Sequence, residues 1–397
     1  MLPLADPDFT RFFLSTYAEP AGLLGAVMLL CGVAALTETR VGDRAARVIA
    51  VALVGGDGVL AVTAKLAYAP VLLVALVVCA STPVALRYGA GRWSSRVTGP
   101  VVVVVAMLAA AGPIIAAVNY QARVTAGFNS YNLAFTTVLT EVPGSAEALG
   151  LPPTAAACAG RSFFAYPSGP TGVPFADIVA ADPRAARSAA LRVLASHPAA
   201  LLHAVGVGLQ ATEGSDLSYL PSVPYAGQPR PVATGRPLPV QAGEGGADAP
   251  LLRAWLDTMR APWLPSALVF AGLVAGAVNA LRRRRGGLTS GAVRVAAVAA
   301  AAALGLAAVA VLGDGYFEIA KHAWLAAYAV DVAAYSLLTA GVMTVARLKG
   351  VRSASNRAAE QRATTSRGRT RSSVAVVTGE PIGNGGTRSP VGPVTHT

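Results

Sequence analysis

Residues 263–285 read WLPSALVFAGLVAGAVNALRRRR, and this stretch decides the class of fold. Its uncharged part, 263–281, is about nineteen residues, which at about 1.5 Å each spans roughly the 30 Å hydrocarbon core of a bilayer. Four arginines, 282–285, close it. A basic cluster at one end of an apolar helix resists translocation, so the segment reads as a helix crossing from outside to inside.

Working outward, further apolar runs lie at 20–36, 48–64, 66–86, 97–118, 295–313 and 323–346. The basic residues between them alternate as that orientation requires. Arg40, Arg44 and Arg47 follow the first run, and Arg87, Arg92 and Arg96 follow the third. Arg294 sits beside the four arginines, and Arg347 and Lys349 follow the last run. All four groups fall on one side if every run crosses. The expected fold is therefore an all-α polytopic membrane protein of about seven transmembrane helices. One small α-rich extracytoplasmic domain is inserted between helices 4 and 5.

The expected organisation is an extracytoplasmic segment 1–19, membrane helices in 20–118, an extracytoplasmic domain 119–262, membrane helices in 263–347 and a disordered basic tail 348–397. In a multi-pass protein of the cell membrane, this puts the N-terminus outside and the C-terminus in the cytoplasm. Residues 1–19 carry no signal-peptide pattern, so the expectation is either an N-out start without a signal, a minority arrangement, or a longer reading frame whose earlier spans precede Met1. Within the inserted region, 182–210 reads as an amphipathic helix, or a helix pair broken at His197-Pro198.

Composition excludes several classes. Of the 397 residues, 54% are hydrophobic and only 13% charged, about half the charged share of a soluble domain. Much of the +12 net charge lies at 282–285 and in the tail. It is read as topology and contact with anionic lipid headgroups, with no nucleic-acid partner. The three cysteines form no metal or disulfide framework. Nucleophile elbow, P-loop, zinc and dinucleotide signatures are absent.

Chemistry is sought among polar groups at the membrane boundary. Lys65, in the turn between the second and third runs, suits a phosphate as a point charge or snorkels to the interface. Asp314, Glu318, Lys321 and His322 cluster before the last run. Glu318, Lys321 and His322 share a face if that helix starts early, which suits acid–base work or a divalent cation set against a lipid phosphate. Loop solvation explains the same residues. Asn129, Tyr131 and Asn132 form an amide–aromatic mix compatible with a glycan. Asp57, in Gly55-Gly56-Asp57-Gly58, and Asp331 are intramembrane carboxylates, for pairing or coupling.

Certain strings resemble membrane glycosyltransferases of the GT-C type, in particular the bacterial WsfD-like hexose transferases. They are Phe12-Phe13 through Tyr17-Ala18-Glu19-Pro20, and Ala64-Lys65-Leu66-Ala67-Tyr68-Ala69-Pro70. Tyr131-Asn132-Leu133-Ala134-Phe135-Thr136-Thr137-Val138-Leu139, Leu194-Ala195-Ser196-His197-Pro198 and the stretch from Asp314-Gly315 to His322-Ala323-Trp324-Leu325 complete the set. The resemblance is to the C-terminal part of such a protein, and no residue here matches the acidic residue of that group's first outer loop. It implies a polyprenyl-phosphate sugar donor, an envelope glycan acceptor on the outer face, and hexosyl transfer. Glu19 and Glu318 are the candidate catalytic carboxylates, with Lys65, Lys321 and His322 as phosphate ligands. The alternatives are a non-catalytic membrane scaffold or binding protein and, third, a transporter using Asp57 and Asp331.

Overall fold

The computed structural model describes residues 19–39, 44–82, 98–166, 172–212, 261–282, 288–317 and 319–371. It confirms an all-α polytopic membrane protein, with no strand among those residues. Two units are distinguished, Met1–Met343 and Thr344–Thr397.

The first unit carries α1 (Glu19–Glu38), α2 (Arg44–Ala64), a 3-10 turn (Leu66–Tyr68), α3 (Ala69–Ser81) and α4 (Thr98–Val124). After a break at Thr125 come α5 (Ala126–Asn132), a π-helical stretch (Leu133–Val138) and one turn, α6 (Leu139–Glu141). Then follow α7 (Ala176–Ala181), α8 (Pro183–Ser196), α9 (Pro198–Gln210), α10 (Leu264–Leu281) and α11 (Leu288–Asp314), with α12 (Ile319–Arg371) continuing into the second unit.

Six helices are long and apolar enough to cross a membrane, at Pro20–Glu38, Ala45–Ala64, Gly99–Val124, Leu264–Leu281, Thr289–Asp314 and Lys321–Ser355. The third expected span, 66–86, is helical only over the shorter apolar Leu66–Ser81, and 83–97 lie outside the described residues. The three arginines at 283–285 also lie outside them.

Small residues set the helix spacing, because close backbone approach replaces the hydrophobic drive that lipid cannot supply. A Cβ on Gly25 of α1 would lie 2.8 Å from the Asp57 carbonyl oxygen of α2. One on Gly272 of α10 would lie 2.8 Å from Ala300 of α11. The glycines around Asp57 serve the same end, with Gly55 against Val102 and Gly58 against Ala75. Asp57 itself is buried, and its Oδ2 has no hydrogen-bond partner among the described residues. Trp324 of α12 donates its indole N–H to the Tyr68 hydroxyl at 3.1 Å, tying the last span to the 3-10 turn.

The described residues between α4 and α9 form a lobe with its own apolar core, centred on Tyr131, Phe135, Val138 and Leu194. The expected helix break at His197-Pro198 is present, with α8 and α9 meeting at 106°. However, α9 does not stay in the lobe. A Cβ on Gly208 would lie 2.9 Å from the Ala307 carbonyl oxygen, so α9 lies against span α11, as its nearly continuous apolar sequence permits.

The tail expectation is corrected in part. The helix that begins at Ile319 runs to Arg371, where disorder was expected from 348, while 372–397 lie outside the described residues. Ala, Arg, Glu and Gln are strong helix formers, and extending an existing helix avoids the nucleation cost.

Replacing Gly25 by valine should force α1 from α2 and cost about 1–3 kcal/mol, seen as a lower melting temperature in detergent. Gly56→Ala, whose Cβ would meet nothing within 4 Å, should leave that temperature unchanged.

Candidate functional site

The end of α11 is where distant stretches meet. Its last carbonyls have no partner within the helix. Arg187 supplies them, donating from its two terminal nitrogens to Gly313 O at 3.0 Å and Leu312 O at 2.8 Å. A cation also suits the negative end of the helix dipole. Burial lowers the Arg187 pKa from its ordinary value, and the nearby Asp314 carboxylate opposes that shift. Gly315 ends the helix with φ +66°, its N–H donating to Val311 O at 2.8 Å.

Asn132 locks the turn to the lobe. It is fully buried, donates Nδ2–H to Asp314 Oδ1 at 2.9 Å and accepts the Phe163 N–H on Oδ1 at 2.8 Å. These two bonds fix the orientation of its amide. Thr136 donates to Asn132 O at 2.6 Å and accepts the Tyr316 N–H at 2.8 Å. Tyr316 in turn donates its hydroxyl to Glu141 Oε1. Burial, and then the Glu141 carboxylate, push the phenol pKa above its usual range.

Beside this knot opens a cavity of about 440 Å³. Lys65, Arg184, Arg187 and His322 bring four basic side chains to it from three separated stretches, with Asp314 among them. His322 Nε2 lies 3.4 Å from Asp314 Oδ2. Val118 of α4 and Val309 and Ala310 of α11 supply apolar walls, while Gln121, Thr125 and Asn129 supply amide and hydroxyl groups. The cavity thus joins the apolar ends of spans to a cationic rim.

Local sequence explains how α8 presents its arginines. Pro183 occupies the first helical position and Asp182 caps the helix, accepting the Ala185 N–H on Oδ1 at 2.9 Å. Ser130 of α5 donates to Pro183 O at 2.9 Å, pinning that first turn beside the cavity. Arg184 and Arg187, three apart, share a helix face.

The structure brings Lys65, His322 and Asn129 together in this cavity. Lys321 is next to His322 in the first turn of α12 but is not among the lining residues. Glu19 opens α1, with its side chain outside the described part, and Glu318 lies outside the described residues. The glycan expectation is corrected for two of its three residues. Tyr131 is fully buried and stacks on Phe135 with ring centroids 4.1 Å apart, and Asn132 is the buried lock just described. Both serve the core because their neighbours leave them no access to a ligand.

Asn129 differs from Asn132. Thr125 spends its hydroxyl proton on Gln121 O at 3.3 Å, so it can only accept from Asn129 Nδ2, at 3.4 Å. That leaves Asn129 Oδ1 buried without a partner among the described residues. The sequence reading missed Arg184 and Arg187 as site residues. Their signal was the Asp182-Pro183 helix start followed by arginines three apart. No group of three His, Cys, Asp or Glu side chains that could hold a metal ion occurs among the described residues.

Residues 1–174 match the family described as the YfdI N-terminal transmembrane domain. No curated protein and no solved structure matches the chain. The matched region is similar to a membrane domain and takes in α1–α4, Lys65 and Asn132, in agreement with a multi-pass membrane protein.

Asn132→Ala should strand the Phe163 N–H and weaken the hold on Asp314, lowering stability by about 2–4 kcal/mol. Asn129→Ala removes an acceptor that is already unsatisfied, and should be neutral or slightly stabilising in the same thermal unfolding measurement in detergent.

Proposed function

We propose that this protein transfers a sugar from a polyprenyl-phosphate donor during cell-envelope glycan assembly, as the GT-C resemblance implies. The supporting observation is the convergence of Lys65, Arg184 and His322 on one cavity at the ends of the spans. Such a site suits a lipid whose phosphate meets the cations and whose chain lies along apolar helix. Exposed Val118 and Ile115 on α4 offer that path. In this reading the cavity end of the bundle faces outside, as the distribution of basic loops implies.

The chemistry follows from charge flow. An acceptor hydroxyl oxygen attacks the anomeric carbon as the bond from that carbon to the phosphate oxygen breaks. The phosphate leaves with the bonding pair, and its charge is met by Lys65, Arg184 and His322. The hydroxyl proton passes to a carboxylate. Asp314 is the carboxylate that lines the cavity among the described residues, ahead of the sequence candidates Glu19 and Glu318. Arg187 positions it by holding the end of α11.

A second reading is a non-catalytic protein that binds the lipid headgroup. One observation favours it, since both Asp314 oxygens already have partners, in Asn132 and His322.

Proteoliposomes with a labelled polyprenyl-phosphate hexose and a crude envelope glycan acceptor test both readings. Transfer of label should occur, and Lys65→Ala combined with Arg184→Ala should reduce it about 10²-fold without lowering the melting temperature. Donor retention without turnover would select the second reading. Undiminished transfer by the double variant would remove the cavity from the mechanism.

A further inference from the structure

A second cavity, of about 640 Å³, opens on the lobe between Glu141 and the corner where α8 meets α9. The transfer chemistry above does not use it. Two exposed histidines, His197 and His203, line it, and no lysine or arginine among the described residues does.

The hydrogen bonds determine what these imidazoles offer. His203 Nδ1 lies 2.7 Å from Glu141 Oε2, and His197 Nδ1 lies 2.8 Å from the Val193 carbonyl oxygen. A carboxylate and a carbonyl only accept, so each neutral ring carries its proton on Nδ1. Ser196 does not disturb this, because its hydroxyl proton goes to Val193 O at 2.9 Å. Among the described residues, each ring therefore keeps its Nε2 lone pair without a hydrogen-bond partner.

The remaining polar group is already committed. The Glu141 side chain is only 10% exposed, with one oxygen on His203 and the other on the Tyr316 hydroxyl. Pro143 and Pro198 add apolar wall. With neutral imidazoles the cavity offers acceptors and apolar surface, and no lysine or arginine among the described residues lines it, which disfavours an anion. A metal ion is disfavoured because these three groups do not come together as a metal-holding cluster. What fits is a ligand with several hydroxyl donors and apolar C–H faces, able to span two separated acceptors.

We propose that this cavity binds a neutral carbohydrate, with ligand hydroxyls donating to His197 Nε2 and His203 Nε2 and C–H faces against Pro143 and Pro198. Identifying that carbohydrate as part of the acceptor glycan rests on the transfer reading; the binding itself does not. The site is separate from the transfer cavity. Along the helix from Asn132 to Glu141 the nine-residue rise is roughly 13 Å or a little less, which is more than one sugar ring. It would hold the acceptor at a residue away from the reacting hydroxyl.

The test applies full-length protein in nanodiscs to an array of neutral hexose and N-acetylhexosamine oligosaccharides, with uronate-bearing oligosaccharides alongside. Binding of neutral members is expected, weakened about tenfold in His203→Ala and in His197→Ala, as loss of about one hydrogen bond implies. Lys65→Ala with Arg184→Ala should leave this binding intact even where transfer is lost, so failure of one idea is distinguishable from failure of the other. Both histidines are exposed, and an unchanged melting temperature would show that the variants are folded. No neutral ligand bound, binding by both histidine variants as tight as that of the unaltered protein, or preference for uronates would overturn the proposal. So would stoichiometric zinc binding that the same two variants abolish.

Discussion

The last turn of α11 holds this end of the molecule together. Helix carbonyls that end at a membrane boundary must find donors, and here Arg187 supplies them from a helix more than a hundred residues earlier in the chain. Asn132 then binds Asp314 from the other side while also accepting the Phe163 N–H. These few bonds join α5, α8, α11 and the loop at Phe163. Arg184, Lys65 and His322 meet in one cavity because that junction is fixed. An Arg carrying two carbonyl bonds in a partly buried setting is also hard to replace, since lysine lacks the fork.

The junction couples two surfaces. On one side Asp314 meets His322 in the cationic cavity. On the other, Tyr316, two residues later, reaches Glu141, which orients His203. The turn between α11 and α12 thus touches both cavities through hydrogen bonds. The proposed transfer requires a donor region and an acceptor region held in fixed relation, and this turn would supply that relation.

Much of the membrane architecture was legible in the sequence, because a span must be apolar over a fixed length. The break at His197-Pro198 was legible for a similarly local reason, the exclusion of helical backbone before proline. The site was legible only in part. Lys65 and His322 showed themselves as polar residues beside spans. Arg187 did not, because its role is set by carbonyls 125 and 126 positions away. Tyr131 and Asn132 misled, since an amide–aromatic string reads alike whether it faces a ligand or a core. The helix beyond 348 is hidden by low hydrophobicity, since it rests on helix propensity and continuity with the span before it.

The central claim is that the cavity of Lys65, Arg184 and His322 receives a polyprenyl phosphate. The most direct measurement is photo-crosslinking with a polyprenyl phosphate that carries a diazirine next to the phosphate, followed by peptide mapping of the full-length protein in membranes. The account expects adducts concentrated at 65–67, 118–130 and 309–314, and competed away by unlabelled polyprenyl phosphate. Adducts spread along the lipid-exposed face of α4 at Val101, Val105 and Leu108, with none enriched at the cavity, would contradict it.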